Sequence, residues 1–240
     1  MFNPHPLIRI VPIAEKQVCV VVDNFLLEPQ KMLDFALAQR EQFVYDPDNF
    51  YPGPELPLSR EIAISLDQFF MQHARHALGA RRNKGVSCRF SMATLAPEQL
   101  HPLQRLCHRD AEVFPPGESM GASVLYLFKN AALGGTSFYQ PKKPLNEIRQ
   151  LLQLANTVSN KELTALINTA PAYMHASNDY FELVCTIPAA WNRAIFYSGT
   201  VFHAAQIERP ELLSSDPALG RLTMNGFFKF RMASTMAGEI

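Results

Sequence analysis

From Val86 onward the chain reads as a run of short apolar or alternating pieces separated by turn residues, and this restricts the fold more than any other feature. The pieces are Ser87–Thr94, Leu106–Ala111, Ser123–Phe128, Thr136–Tyr139, Phe181–Ile187, Ala194–Tyr197, His203–Ile207 and Leu222–Phe230. Short strands joined by turns at this density close into a roll or barrel rather than an open parallel sheet. The expected fold class is therefore mainly β with added helices, on a double-stranded β-helix (jelly roll) core. The mouth of such a roll is a natural metal and ligand pocket.

Residues 1–85 read as an N-terminal strand with helical support. Val18–Asp23 is an apolar run suited to a buried strand. Pro29 fits a first helical turn, followed by Met32, Leu33, Ala36 and Leu37 at helical spacing. A second helix is expected with Ser65 as its cap and with Leu66, Phe69, Phe70, His73 and Ala77 along one face. Tyr51–Pro57 between them reads as turn and loop, and Arg81-Arg82-Asn83-Lys84 as a solvated turn. The core of 86–240 is interrupted at 141–179 by a helical insert. Leu145, Ile148, Leu151 and Leu152 make one stripe there, and Ser159 with Glu162 forms a capping box before a second. Such an insert serves as a lid, a specificity element or a packing and dimer contact. The whole of 1–240 is expected to be a single domain.

Cys107-His108-Arg109-Asp110 carries the first chemical signal. Residues two apart on a strand point the same way, so His108 and Asp110 can enter one cavity together. A second histidine, His203, follows far downstream. Two imidazoles and one carboxylate are the ligand set of the facial triad of non-haem iron enzymes, which leaves coordination positions open. His73 and His76 share a helix face but have no third ligand at a fitting spacing. His5, His101 and His175 lie in loop-like or polar segments.

The order of motifs around this triad resembles the 2-oxoglutarate and Fe(II)-dependent dioxygenases of the prolyl-hydroxylase type. It runs from His108-Arg109-Asp110 through Ala122–Phe128, Leu133-Gly134-Gly135-Thr136-Ser137-Phe138-Tyr139, Asn192-Arg193 and His203 to Gly220-Arg221-Leu222-Thr223. Asp23-Asn24-Phe25-Leu26 and Tyr51-Pro52-Gly53 also resemble an uncharacterised bacterial branch of that superfamily. The resemblance implies Fe(II) held by His108, Asp110 and His203, with 2-oxoglutarate as cosubstrate. It further implies that Arg221 pairs with the far carboxylate of 2-oxoglutarate, supported by Thr223 and flanked by Tyr126. Hydroxylation of a small-molecule, peptide or protein substrate, whose identity the sequence does not give, would follow. The stretch from His203 to Arg221 is longer than the family usually has, and Arg209 is the competing anchor. Pro210, Pro217 and Gly220 mark the extra residues as a loop, which favours Arg221. The rival reading is a cupin-like metal-binding β-roll without 2-oxoglutarate chemistry.

Composition is compatible with this and excludes other classes. Lys+Arg 22 against Asp+Glu 22 leaves no net charge, so a nucleic-acid footprint is not expected. No apolar run approaches the roughly 20 residues that span a bilayer. Cys19, Cys88, Cys107 and Cys185 form neither a compact disulfide framework nor a Cys-x-x-Cys pair, which suits a reducing compartment. With no signal-peptide pattern at Met1–Pro6, a cytoplasmic location is expected, in a form that admits homo-oligomers.

Overall fold

Every pairing between the named strands is antiparallel, and several strands are buried along consecutive residues. The computed structural model describes residues 1–46, 49–110 and 113–233. In chain order the elements are β1 (Leu7–Ala14), β2 (Gln17–Asp23), α1 (Pro29–Ala38), β3 (Glu55–Pro57), α2 (Arg60–His73), β4 (Ala80–Ala93), β5 (Glu118–Tyr126) and β6 (Thr136–Pro141). They continue with α3 (Leu145–Ala155), α4 (Asn160–Ile167), β7 (Phe181–Ile187), β8 (Arg193–Ser198), β9 (Phe202–Ala205) and β10 (Arg221–Met232). A seven-stranded sheet in the order β1-β2-β8-β5-β10-β4-β3 faces a three-stranded sheet in the order β7-β6-β9. This is the expected mainly-β jelly roll with added helices.

The large sheet separates two environments. Along β10, Leu222, Met224, Phe228 and Phe230 are buried with Leu66, Phe69 and Phe70 of α2 and with Met32, Leu33 and Ala36 of α1. Phe70 stacks on Phe228 with ring centroids 4.3 Å apart. The alternate residues Arg221, Thr223, Asn225 and Phe227 face the other way and line a cavity. Their cross-strand partners follow, because Thr223 pairs with Tyr126 on β5 and with Ser91 on β4. Between the sheets a second apolar cluster, including Tyr126, Phe128, Phe138 and Ile195, closes the interior beside that cavity.

Several expectations need correction. The helix-cap residue of α2 is Ser59, whose hydroxyl accepts from the Ile62 amide. Ser65 lies within the helix and donates to the Glu61 carbonyl at 2.9 Å. Both serines precede apolar residues at helical spacing, but Pro57 ends the preceding strand and so places the start earlier. Arg81-Arg82-Asn83-Lys84 is not a turn but the first half of β4, paired with the far end of β10. The loop reading of Tyr51–Pro57 misses the short strand β3, which pairs with β4. Leu106–Ala111 forms no regular strand; His108 makes a single bridge to His203, and Ala111 lies outside the described residues. β1 was not foreseen, and the insert holds two helices with the Ser159–Glu162 capping box in place.

Candidate metal centre

The bridge between His108 and His203 sets the geometry. Each amide donates to the other's carbonyl, at 3.0 and 2.9 Å, so the two side chains leave the backbone on one side with ring centroids 4.4 Å apart. Asp110, two residues on, donates its amide to the Gly199 carbonyl and so keeps the extended course that returns its side chain to the same face. Its Oδ1 lies 3.9 Å from Nε2 of His108 and 3.6 Å from Nε2 of His203. One ligand atom from each of the three lies within 4.8 Å of the others.

The protonation states suit a cation. Nδ1 of His203 lies 2.9 Å from the Val201 carbonyl, which can only accept, so Nδ1 carries the proton and Nε2 offers its lone pair. Burial pushes the His203 pKa down to about 4, opposed in part by that carbonyl. His108 is lowered in the same way and by its neighbour His203, although its 59% exposed side chain lets solvent offset part of the effect. Burial raises the pKa of Asp110, against the pull of His108 and Arg89. Its Oδ2 is buried with no hydrogen-bond partner. An orphaned carboxylate oxygen beside two neutral imidazoles is costly unless a cation completes the site, so the donor set fits a divalent metal ion.

The triad opens into a cavity of about 660 Å³ that also reaches Arg221 and Thr223. Arg221 is 3% exposed. Its Nε and Nη2 donate to the carbonyls of Gly134 and Gly135 at 3.2 and 2.8 Å. Both glycines are required there: a Cβ on Gly134 would stand 1.7 Å from the Gln206 carbonyl oxygen, and one on Gly135 2.0 Å from that of Ile187. One edge of the guanidinium is thus engaged by backbone, and the edge formed by Nη1 and the outer hydrogen of Nη2 remains. Arg209, by contrast, is an exposed partner of Glu211 away from the cavity. Thr223 lines the cavity and donates to the Ser91 carbonyl at 3.2 Å. Tyr126 does not reach the cavity wall. Fully buried in the core, its hydroxyl meets Thr136 Oγ1 at 2.8 Å, and only Thr136 borders the cavity.

Other wall residues, Asn225 apart, were not legible as site residues. Tyr51 lies against Thr223, and Glu55 hydrogen-bonds Ser91 at 2.6 Å and pairs with Arg89 at 3.0 Å. Asn225 donates to Ser91 Oγ at 3.0 Å. The alternation Ser87, Arg89, Ser91 against Cys88, Phe90, Met92 was the signal that could have found them. From the insert, Arg149, Leu152 and Gln153 of α3 and Asn156 at its C-terminal cap border the mouth.

A family model described as "Family of unknown function (DUF6445)" matches residues 4–228. The chain belongs to that family. No curated protein matches it. Among solved structures, the non-heme alpha ketoglutarate dependent epimerase SnoN from nogalamycin biosynthesis is similar over 94% of this chain and 83% of its own, at 13% identity and a TM-score of 0.50. HygX from Streptomyces hygroscopicus, with nickel, 2-oxoglutarate and hygromycin B bound, is similar over 92% of this chain and 85% of its own, at 10% identity and a TM-score of 0.44. At such identity the likeness to SnoN establishes the shared fold of this DUF6445 protein. No helix among its described residues is long and apolar enough to cross a membrane.

Proposed function

We propose that this protein is an Fe(II)- and 2-oxoglutarate-dependent oxygenase that hydroxylates a small-molecule or peptide substrate. The observation that carries the reading is the metal-ligand set His108, Asp110 and His203 opening into the same cavity as the buried Arg221. The SnoN likeness supports it at the level of fold, and SnoN's description as an alpha ketoglutarate dependent epimerase is compatible with it. The resemblance to the prolyl-hydroxylase type rests on the sequence motifs and is the finer part of the proposal.

Iron and 2-oxoglutarate, when bound, would supply the chemistry by which dioxygen, the oxidant, hydroxylates a substrate C–H bond while 2-oxoglutarate is converted to succinate and carbon dioxide. The chain's own residues bind and orient. His108 and His203 present neutral Nε2 atoms, and Asp110 supplies the carboxylate. Arg221 offers its remaining Nη edge to a carboxylate, with Thr223 and Tyr51 beside it. Anaerobic addition of Fe(II), then 2-oxoglutarate, is expected to give a weak visible charge-transfer band. Equal iron retention by wild type and by His108→Ala, Asp110→Ala and His203→Ala would overturn the reading.

A further inference from the structure

We propose that the substrate carries an anionic oxygen group, a carboxylate or a phosphate, and that Arg89 receives it at the cavity wall. The inference rests on the oxygenase reading and names its substrate class. Two contacts fix the direction of this side chain. Its Nε lies 3.0 Å from Oε1 of Glu55. Its guanidinium carbon lies 4.8 Å from the centroid of the Phe227 ring, so a flat face is covered. What remains is the terminal edge with both Nη groups, which has no hydrogen bond among the described residues and belongs to a side chain that lines the same cavity as the triad. That edge is the geometry that takes a carboxylate or phosphate bidentately.

Glu55 cannot be the substrate's own contact, since its two oxygens are already held. Oε1 accepts from Ser91 and faces Arg89, and Oε2 accepts from Asn49. It is a positioning residue for Arg89. Arg89 and Arg221 both line the cavity, and Arg221 is assigned to the cosubstrate, so Arg89 is left to meet a further anionic group. The volume of about 660 Å³ suits a small molecule or a single side chain beside the cosubstrate.

The test titrates benzoate and inorganic phosphate into the full chain by calorimetry, with and without Zn(II) and saturating 2-oxoglutarate. At least one anion is expected to bind the Zn(II)- and 2-oxoglutarate-loaded wild type. Arg89→Met should weaken that binding roughly tenfold or more, the loss of a charge-assisted bidentate contact, and Arg89→Lys by less. Near-UV circular dichroism of both variants guards against a folding defect. A preference for benzoate assigns a carboxylate, and one for phosphate assigns a phosphate ester. Absence of binding by either anion, binding that survives Arg89→Met, or displacement of the anion by 2-oxoglutarate would each overturn the proposal. Arg89-dependent binding in a chain that takes up neither metal nor 2-oxoglutarate would sink the oxygenase reading and keep the anion site.

Discussion

His203 illustrates how one residue joins stability to ligation. Its folded pKa of about 4 lies below the ordinary 6.5, so protonation favours the unfolded chain, and stability falls as pH drops from about 6.5 toward 4. Metal-free wild type should lose about 2 kcal/mol more than His203→Gln on going from pH 7 to pH 5, by linkage. Urea midpoints at the two pH values measure this, and equal losses would contradict the burial assigned to the ring. Arg221 makes a second test at this scale. Arg221→Ala should keep metal occupancy yet weaken 2-oxoglutarate binding by roughly 2–5 kcal/mol, the range for removing one partner of a desolvated charge pair. Arg209, exposed and paired with Glu211, should be replaceable by Ala with little effect. If calorimetry with Zn(II)-loaded protein finds the reverse, the anchor assignment fails. That His108, Asp110, His203 and Arg221 would meet in one cavity was legible in sequence, because their spacing and order survive without contacts. Arg89 and Glu55 were not, since a polar residue alternating with apolar ones ordinarily faces solvent, and here the polar face is a cavity wall.

At the scale of elements, the insert is held as part of the roll rather than hinged over it. Ile148, Leu151 and Ala155 of α3 and Leu163 and Ile167 of α4 are buried together with Leu106, Cys107, Tyr139, Phe181 and Phe202. Arg105, 3% exposed, ties α4 to the segment that leads into His108. Its guanidinium donates to the Asn160 carbonyl and Oδ1 at 3.0 and 2.9 Å, to Thr164 at 3.1 Å and to the Thr169 carbonyl at 2.6 Å. Arg105→Met leaves those acceptors unpaired and should cost roughly 2–4 kcal/mol, with faster amide exchange across Asn160–Ile167. Metal affinity measured below the unfolding transition should change little. Unchanged exchange in α4 would show that the apolar cluster alone holds the insert. The helices themselves were legible from stripe and capping box, whereas this tie was not: nothing in sequence links an arginine to residues more than fifty positions away.

At the scale of the molecule, the large sheet works as a partition, with α1 and α2 against one face and the candidate site on the other. Strand alternation made most of this readable from residues alone. It failed for β1, where Leu7, Ile8, Arg9 and Ile10 at the sheet edge are exposed and show no buried–exposed rhythm. It failed also for the first half of β4, where a charged run continues the ladder beyond the apolar core. The partition implies that stability and ligation can be altered separately. Phe70 is fully buried, stacks on Phe228 and touches the space above Gly121, all on the helical face. Phe70→Ala should cost roughly 3–5 kcal/mol, transfer and cavity terms together. Asp110→Asn, on the cavity side, removes the carboxylate proposed to hold the metal, with far less effect on the core. In metal-free protein the two substitutions should add to within about 0.5 kcal/mol, as independent sites do. Phe70→Ala should also keep wild-type metal affinity under folding conditions. Urea unfolding of the two single variants and the double variant decides it. A coupling well above that margin would mean that strain on the helical face passes through β5 and β10 to the metal centre, and the two faces would then be one mechanical unit.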